Sequence, residues 1–284
     1  MTDTSPNLKK YYRAPGLTIG LPTKGKYLPP QSITVNQEGG INVYPMRMAD
    51  EMMLKNPDAL MNGSAIQALF ESCVPDIKTP ALISAPDIDV LLLAIRVATY
   101  GRIMELETTC PNCEKDLAFD CNLPNMLSSI RDCSEDNILR LSDDLTVEVR
   151  PLNVADISFL NRKIFDEERR LQQIDLSPDL TEDQRTQQRN ALFKRMSSLQ
   201  SDMLAHTIVS INTPEGVVTD SAEMIDFIAN APAPWLKIID TKQKSLSEGG
   251  MEKTVAAHCS YCEHDWRTMV DFDPTSFFEQ NSSL

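Results

Sequence analysis

Two Cys-x-x-Cys pairs, Cys110-Pro111-Asn112-Cys113 and Cys259-Ser260-Tyr261-Cys262, stand more than half the chain apart. If four thiols this distant meet, everything between them becomes an excursion that must return to its starting point. Each pair is flanked alike. Arg102–Thr109 is strand-like and enters the first, and Leu117–Leu123 leaves it. Thr254–His258 enters the second, and Trp266–Phe272 leaves it with Trp266, Thr268, Val270 and Phe272 on one face. Both pairs are therefore expected in the turns of β-hairpins. Two such turns facing each other supply four thiolates at tetrahedral positions, the ligand set of a closed structural zinc site. Cys110, Cys113, Cys259 and Cys262 are the expected ligands of one Zn²⁺ per chain, with iron left as the alternative at the same four sulfurs.

Other uses of these cysteines fit less well. A thioredoxin-like pair belongs at a strand-to-helix junction, and neither pair is placed there. An iron–sulfur cluster needs the same donors, but nothing else in the chain points to electron transfer. His258 and His264 flank the second pair and are read as strand and turn residues beside the site. In such turns the residue after the second Cys is often Gly, because it takes positive φ. Here Glu114 and Glu263 hold those slots. The seven cysteines are an odd number in a chain whose polar start shows no secretory signal, which favours metal over disulfides. Cys73, Cys121 and Cys133 are read as small buried hydrophobes.

The chain of 284 residues is long enough to bury a core without help from a metal. Its formal net charge of −14 argues against a free-standing nucleic-acid binder. Lys9, Lys10, Arg13, Lys24 and Lys26 against Asp3 alone give residues 1–27 a charge of +4, leaving −18 on the rest. An extended basic arm over residues 1–30, rich in Pro and Gly, is expected to dock on something acidic, either its own body or a neighbouring copy. The most apolar run, Val90–Ala98, contains Arg96 and is far short of a membrane span.

A β-hairpin is expected from Ser32–Val35 and Ile41–Tyr44 around Gly39-Gly40. Helices are expected at Met48–Leu54, Ser64–Cys73 and Asp87–Thr99, the last begun by Ser84-Ala85-Pro86 and ended by Gly101. Leu145–Arg150 is a strand. Asp156 to about Ile174 is an amphipathic helix. A second helix starts at the capping box Thr181–Gln184 and runs to about Val209, making an αα-hairpin. Ala222–Ala229 and Pro234–Ser247 are further helices. The expected fold is α+β: a small β/α core with a split four-cysteine zinc ribbon and a helical insertion. The divisions are 1–30, 31–125 with the first Cys hairpin, 126–250 as strand plus helical insert, and 251–284 with the second.

No catalytic constellation is visible. There is no phosphate-cradling Gly motif and no nucleophile elbow. His206 reads as a core-edge histidine, and Asp166-Glu167-Glu168 as a solvated face paired with Arg169 and Arg170.

Several segments go beyond pattern. Tyr44-Pro-Met-Arg-Met-Ala-Asp-Glu-Met-Met-Leu54, Pro57–Gly63, Cys73-Val-Pro-Asp-Ile77, Asp87-Ile-Asp89, Thr109–Cys113, Arg150-Pro-Leu-Asn-Val-Ala-Asp156 and the Cys259–Cys262 hairpin come in an order and spacing similar to one family. The stretch of about residues 15–275 resembles the baseplate hub assembly family of T-even-type contractile-tailed bacteriophages. That resemblance implies a non-enzymatic assembly factor or minor component of the tail baseplate. Its partners would be hub, tape-measure or other tail proteins, with room for a homo-oligomer and with neither nucleic acid nor membrane. It would act in the cytoplasm of the infected bacterium or remain in the virion tail baseplate. The reading from a different class is a zinc-ribbon nucleic-acid-binding or transcription-associated protein.

Overall fold

The computed structural model describes residue 8, residues 12–177 and residues 181–278. It is a mixed α/β structure with small antiparallel sheets and two separate hydrophobic cores.

The first core is built around α4 (Ala85–Tyr100), whose Val90 through Ile95 are all buried. A helix buried on every side needs neighbours all round. It receives β1 (Leu17–Ile19) and β2 (Ile41–Val43), and the short helices α1 (Met48–Leu54), α2 (Pro57–Met61) and α3 (Ser64–Cys73). Gly101 ends α4 with φ 95, where its missing side chain is needed. The strand expected at Ser32–Val35 does not form. Ile41–Val43 pairs instead with Leu17–Ile19, and Ile33 keeps only a single bridge to Ile77. Both partners offer β-prone residues; the one that buries Ile19 and Leu21 against α4 wins.

Residues 12–30 lie on the body. Arg13 donates to the carbonyls of Ser72 (2.5 Å) and Pro45 (2.8 Å), Lys24 pairs with Asp132 at 2.6 Å, and Lys26 donates to Asn137 at 3.0 Å. Thr23 donates to the buried Asp87 through its backbone N–H (3.1 Å) and hydroxyl (2.5 Å), and Ser84 does so at 2.6 Å. Lys9 and Lys10 of the expected arm lie outside the described residues.

Then β3 (Ile103–Thr109) and β4 (Asp116–Asn122) form one hairpin, followed by the short α5 (Leu123–Leu127). The chain next builds a second core. β5 (Ile138–Arg140), β6 (Thr146–Val149), β7 (Ile208–Thr213) and β8 (Gly216–Val218) form a four-stranded antiparallel sheet in sequence order. Val147, Val149, Ile208 and Ile211 pack there against Met224 and Ile228 of α8 (Ser221–Asn230) and Ile239 and Leu246 of α9 (Ala233–Ser247). Between β6 and β7 runs the hairpin of α6 (Val154–Leu176) and α7 (Glu182–His206), capped by Asn153 and by Thr181 with Gln184. The insertion is mainly helical, as expected, and also carries a four-stranded sheet of its own. The helix expected to reach Val209 stops at His206, because Ile208, Val209 and Ile211 are β-branched and their strand joins the sheet.

The segment on either side of this second unit is tied together. Arg131 N–H donates to Gly250 O at 2.8 Å and Glu252 N–H to Ser129 Oγ at 3.3 Å. A second seat joins the units where Ala85 N–H donates to Leu152 O (2.7 Å) and Val154 N–H to Ile83 O (3.0 Å). The chain then makes β9 (Thr254–His258), β10 (Asp265–Met269) and α10 (Pro274–Phe277), whose Phe277 joins the first core.

Candidate metal centre

The two Cys hairpins are local copies of each other. Cys110 N–H donates to Lys115 O at 2.9 Å, and Glu114 N–H returns to Cys110 O at 2.9 Å; Cys259, His264 and Glu263 repeat the pattern at 2.9 and 2.8 Å. Both glutamates sit at φ 57, the left-handed conformation that Gly would take without strain.

Period-two alternation turns one face of each hairpin inward. Met104, Leu106 and Thr108 on β3 share a side with Cys110; Val255 and Ala257 on β9 share one with Cys259. Thr108 and Thr268 hydroxyls meet across the hairpins at 3.3 Å. The second hairpin is held to α4 from below. Lys253 pairs with Asp89, the buried Arg96 donates to Phe277 O, and Val270, Phe272 and Phe277 belong to the first core. Arg96 also packs its guanidinium over Tyr100 and Phe277, at 5.4 and 5.3 Å from the ring centres.

These supports bring all four sequence-predicted cysteines together. Cys110 and Cys262 sulfurs are 3.7 Å apart, Cys113 and Cys259 sulfurs 3.6 Å apart, and all four lie within 4.8 Å of one another. Four sulfurs about 2.3 Å from one tetrahedral ion are spaced by about 3.8 Å, so the cluster has the right size for a metal. Disulfide sulfurs would be about 2.05 Å apart, and all the cysteines are free. Cys110 and Cys259 are buried; Cys113 and Cys262 are half-buried. The donor set is all sulfur: His258 Nδ1 meets Asp265 Oδ1 at 2.7 Å, and His264 stacks on Trp266. As a four-cysteine set the cluster suits a thiophilic ion with no site left for a substrate.

Hydrogen bonds make the thiols unequal. Asn112 Nδ2 donates to Cys262 Sγ at 3.5 Å. This amide, assisted by the backbone N–H of His264, outweighs desolvation and lowers the Cys262 thiol to about 6. Cys113 receives the backbone N–H of Lys115, which alone would lower it. Desolvation and the hydrogen bonds shared with Cys262, Cys259 and Cys110 prevail and push it up to about 12. Lys115 Nζ also lies 4.3 Å from the ring centre of Tyr261 on the opposite hairpin. Asn112, Lys115 and Tyr261 were not singled out by sequence reasoning; their only signal is position inside or beside a Cys-x-x-Cys turn.

The other cysteines stay apart from the cluster. Burial pushes the Cys73 and Cys133 thiols up to about 11 and raises Cys121. His206 is exposed, its ring edge against Phe159. Glu167 is not on a solvated face. It is buried between α6 and α7, pairing with Arg170 at 2.7 Å and Arg195 at 3.4 Å. Its partner on the second helix is far away in sequence, which local charge patterning does not reveal. An apolar groove of about 590 Å³ lies away from the cysteines, between α2, α4 and α6, lined by Leu60, Ile88, Ile157, Ile164 and Phe165 among others. Among the described residues the four cysteines are the one group of potential metal ligands, and no helix is long and apolar enough to cross a membrane.

A family model described as T4 bacteriophage base plate protein matches residues 21–279, nearly the whole chain. No curated protein and no solved structure matches it.

Proposed function

The chain belongs to the T4 bacteriophage base plate protein family, and on that premise we propose that it is a non-enzymatic factor or minor component of tail baseplate hub assembly. It works by binding hub, tape-measure or other tail proteins, in the infected cell or in the virion tail. The family match over residues 21–279 is the observation that carries this reading. A structural Zn²⁺ at Cys110, Cys113, Cys259 and Cys262 closes a split ribbon beside the first core and so fixes the base from which the second unit departs. The sulfur spacing and the paired turns support zinc, the usual occupant of a closed four-thiolate site.

The second unit supplies the partner surface. Phe165 (42%) and Phe193 (63%) stay exposed on the α6–α7 hairpin, which offers aromatic area to a partner at small entropic cost. The nucleic-acid reading finds less support. The outer face of the first Cys hairpin shows Glu105, Glu107, Asp116 and Asp120 to solvent, which repels phosphate.

Affinity capture of the tagged chain from infected cells tests the proposal. Tail or baseplate proteins should come down with it; their absence, or a strong salt-sensitive nucleic-acid shift instead, would overturn it. Mass spectrometry of purified virions separates the two fates: a fixed copy number marks a component, absence marks an assembly factor.

A further inference from the structure

The two Cys turns match in backbone but not in what they do for each other. Position for position, Asn112 corresponds to Tyr261 and Lys115 to His264. Besides the sulfurs and the Thr108–Thr268 pair, the turn residues of the first hairpin reach across to the second: Asn112 Nδ2 to Cys262 Sγ at 3.5 Å, and Lys115 Nζ to the Tyr261 ring at 4.3 Å. His264 turns instead to its own strand and stacks on Trp266. Each outer sulfur already receives one backbone N–H, from Lys115 at Cys113 and from His264 at Cys262. Asn112 therefore gives Cys262 a second donor that Cys113 lacks.

Four thiolates around one divalent ion leave an excess of two negative charges near a half-exposed surface. Donors aimed at the sulfurs spread that charge and fix the sulfur lone pairs toward the metal. The half-exposed Cys262 belongs to the hairpin that the chain makes last, so it is the ligand with most need of a positioning contact.

We propose that Asn112 is a positioning residue that holds Cys262 on the metal, with Lys115 as a clasp on the neighbouring Tyr261. The first hairpin thus carries the outer shell of the whole site, and the second docks into it. This inference rests on the metal reading given above.

The test uses the full chain loaded with Co²⁺ or Zn²⁺ and the variants Asn112→Ala, Asn112→Asp and Asn112→Gln. Asn112 is exposed, so these substitutions leave the fold in place, which circular dichroism checks. Release of metal to a chromophoric chelator should rise about 10-fold in Asn112→Ala, the lower end for loss of an outer-shell partner. Asn112→Asp keeps the size but replaces a donor with a charge that repels the thiolate, so it should release faster still. Asn112→Gln keeps the donor and should recover part of the loss. The sulfur-to-cobalt charge-transfer band should move to lower energy in Ala and Asp, because an undonated thiolate is more easily oxidised. If the wild type binds cobalt and all three variants match it in release rate and band position, the positioning role is overturned while the metal reading stands. A wild type that takes up no cobalt or zinc overturns both.

Discussion

Replacing Cys262 by serine removes one of four sulfurs and should undo the metal closure without touching the second core. Cys110 and Cys262 are 152 residues apart in sequence. Closing a loop of that length in the unfolded chain costs about 5 kcal/mol of entropy in the cross-link model. The stem where Arg131 meets Gly250 shortens the effective loop when the second unit is already folded. Roughly 33 residues of chain then remain between stem and turns, and the same model gives about 4 kcal/mol. For a chain of this size 1 kcal/mol moves the midpoint by about 2–4 °C, so the expected loss is about 10 °C. The first core should carry it, because Met104, Cys121, Val255 and Val270 belong to that core and not to the second. The assay pairs metal analysis with melting followed by hydrogen exchange. Wild type should hold one ion per chain and lose about the same stability to a strong chelator. The variant should hold none and ignore the chelator. A variant that keeps one ion and melts within about 2 °C of wild type would refute the reasoning.

Other expectations follow from single residues. Glu114→Gly and Glu263→Gly relieve left-handed backbone at φ 57 and should each raise stability by about 0.5–1 kcal/mol, whereas Glu114→Val should lower it; a Gly variant that melts earlier counts against the turn geometry. Burial alone would raise Asp50, but the Arg47 backbone N–H and guanidinium and the Ser72 hydroxyl donate to it and hold it below the usual carboxylate range. Its stabilisation is therefore present above about pH 4 and lost as pH falls through that depressed value. Asp50→Asn should cost about 1–3 kcal/mol at pH 7, and its gap to wild type should close in acid; a gap independent of pH would contradict this. Glu167→Ala leaves Arg170 and Arg195 facing each other without their shared carboxylate, so amide exchange along α6 and α7 should quicken while the four-stranded sheet keeps its protection. Phe193→Ser should leave melting unchanged yet weaken capture of tail proteins, and equal capture would move the partner surface off the α6–α7 hairpin.

The legible parts of the sequence were those with local causes. The Thr181 capping box, the stop at Gly101 and the two Cys turns each depend on a few adjacent residues, and each stands where spacing put it. Choices between distant partners were not legible. The sequence offers Ser32–Val35 as the partner of Ile41–Val43, and burial of Ile19 and Leu21 decides for Leu17–Ile19 instead. The end of α7 was overrun because Leu192, Met196, Leu199 and Met203 keep helical spacing up to the point where sheet pairing claims Ile208. Glu167 was misplaced for the same reason, as Arg195 reaches it from another helix. In the four-cysteine cluster the sulfurs were readable, but the contacts from Asn112 and Lys115 cross between hairpins and depend on the assembled fold.

The stem at Arg131 and Gly250 sets the departure and return points of the second unit side by side. Such a unit behaves as a cassette. Its interior can lengthen, shorten or be exchanged without shifting the register of the strands on either side. What a replacement must keep is small: the adjacent ends, and the seat that Leu152–Val154 makes on Ile83–Ala85. Sequence change can then concentrate in the cassette, while the frame built on the first core keeps its shape.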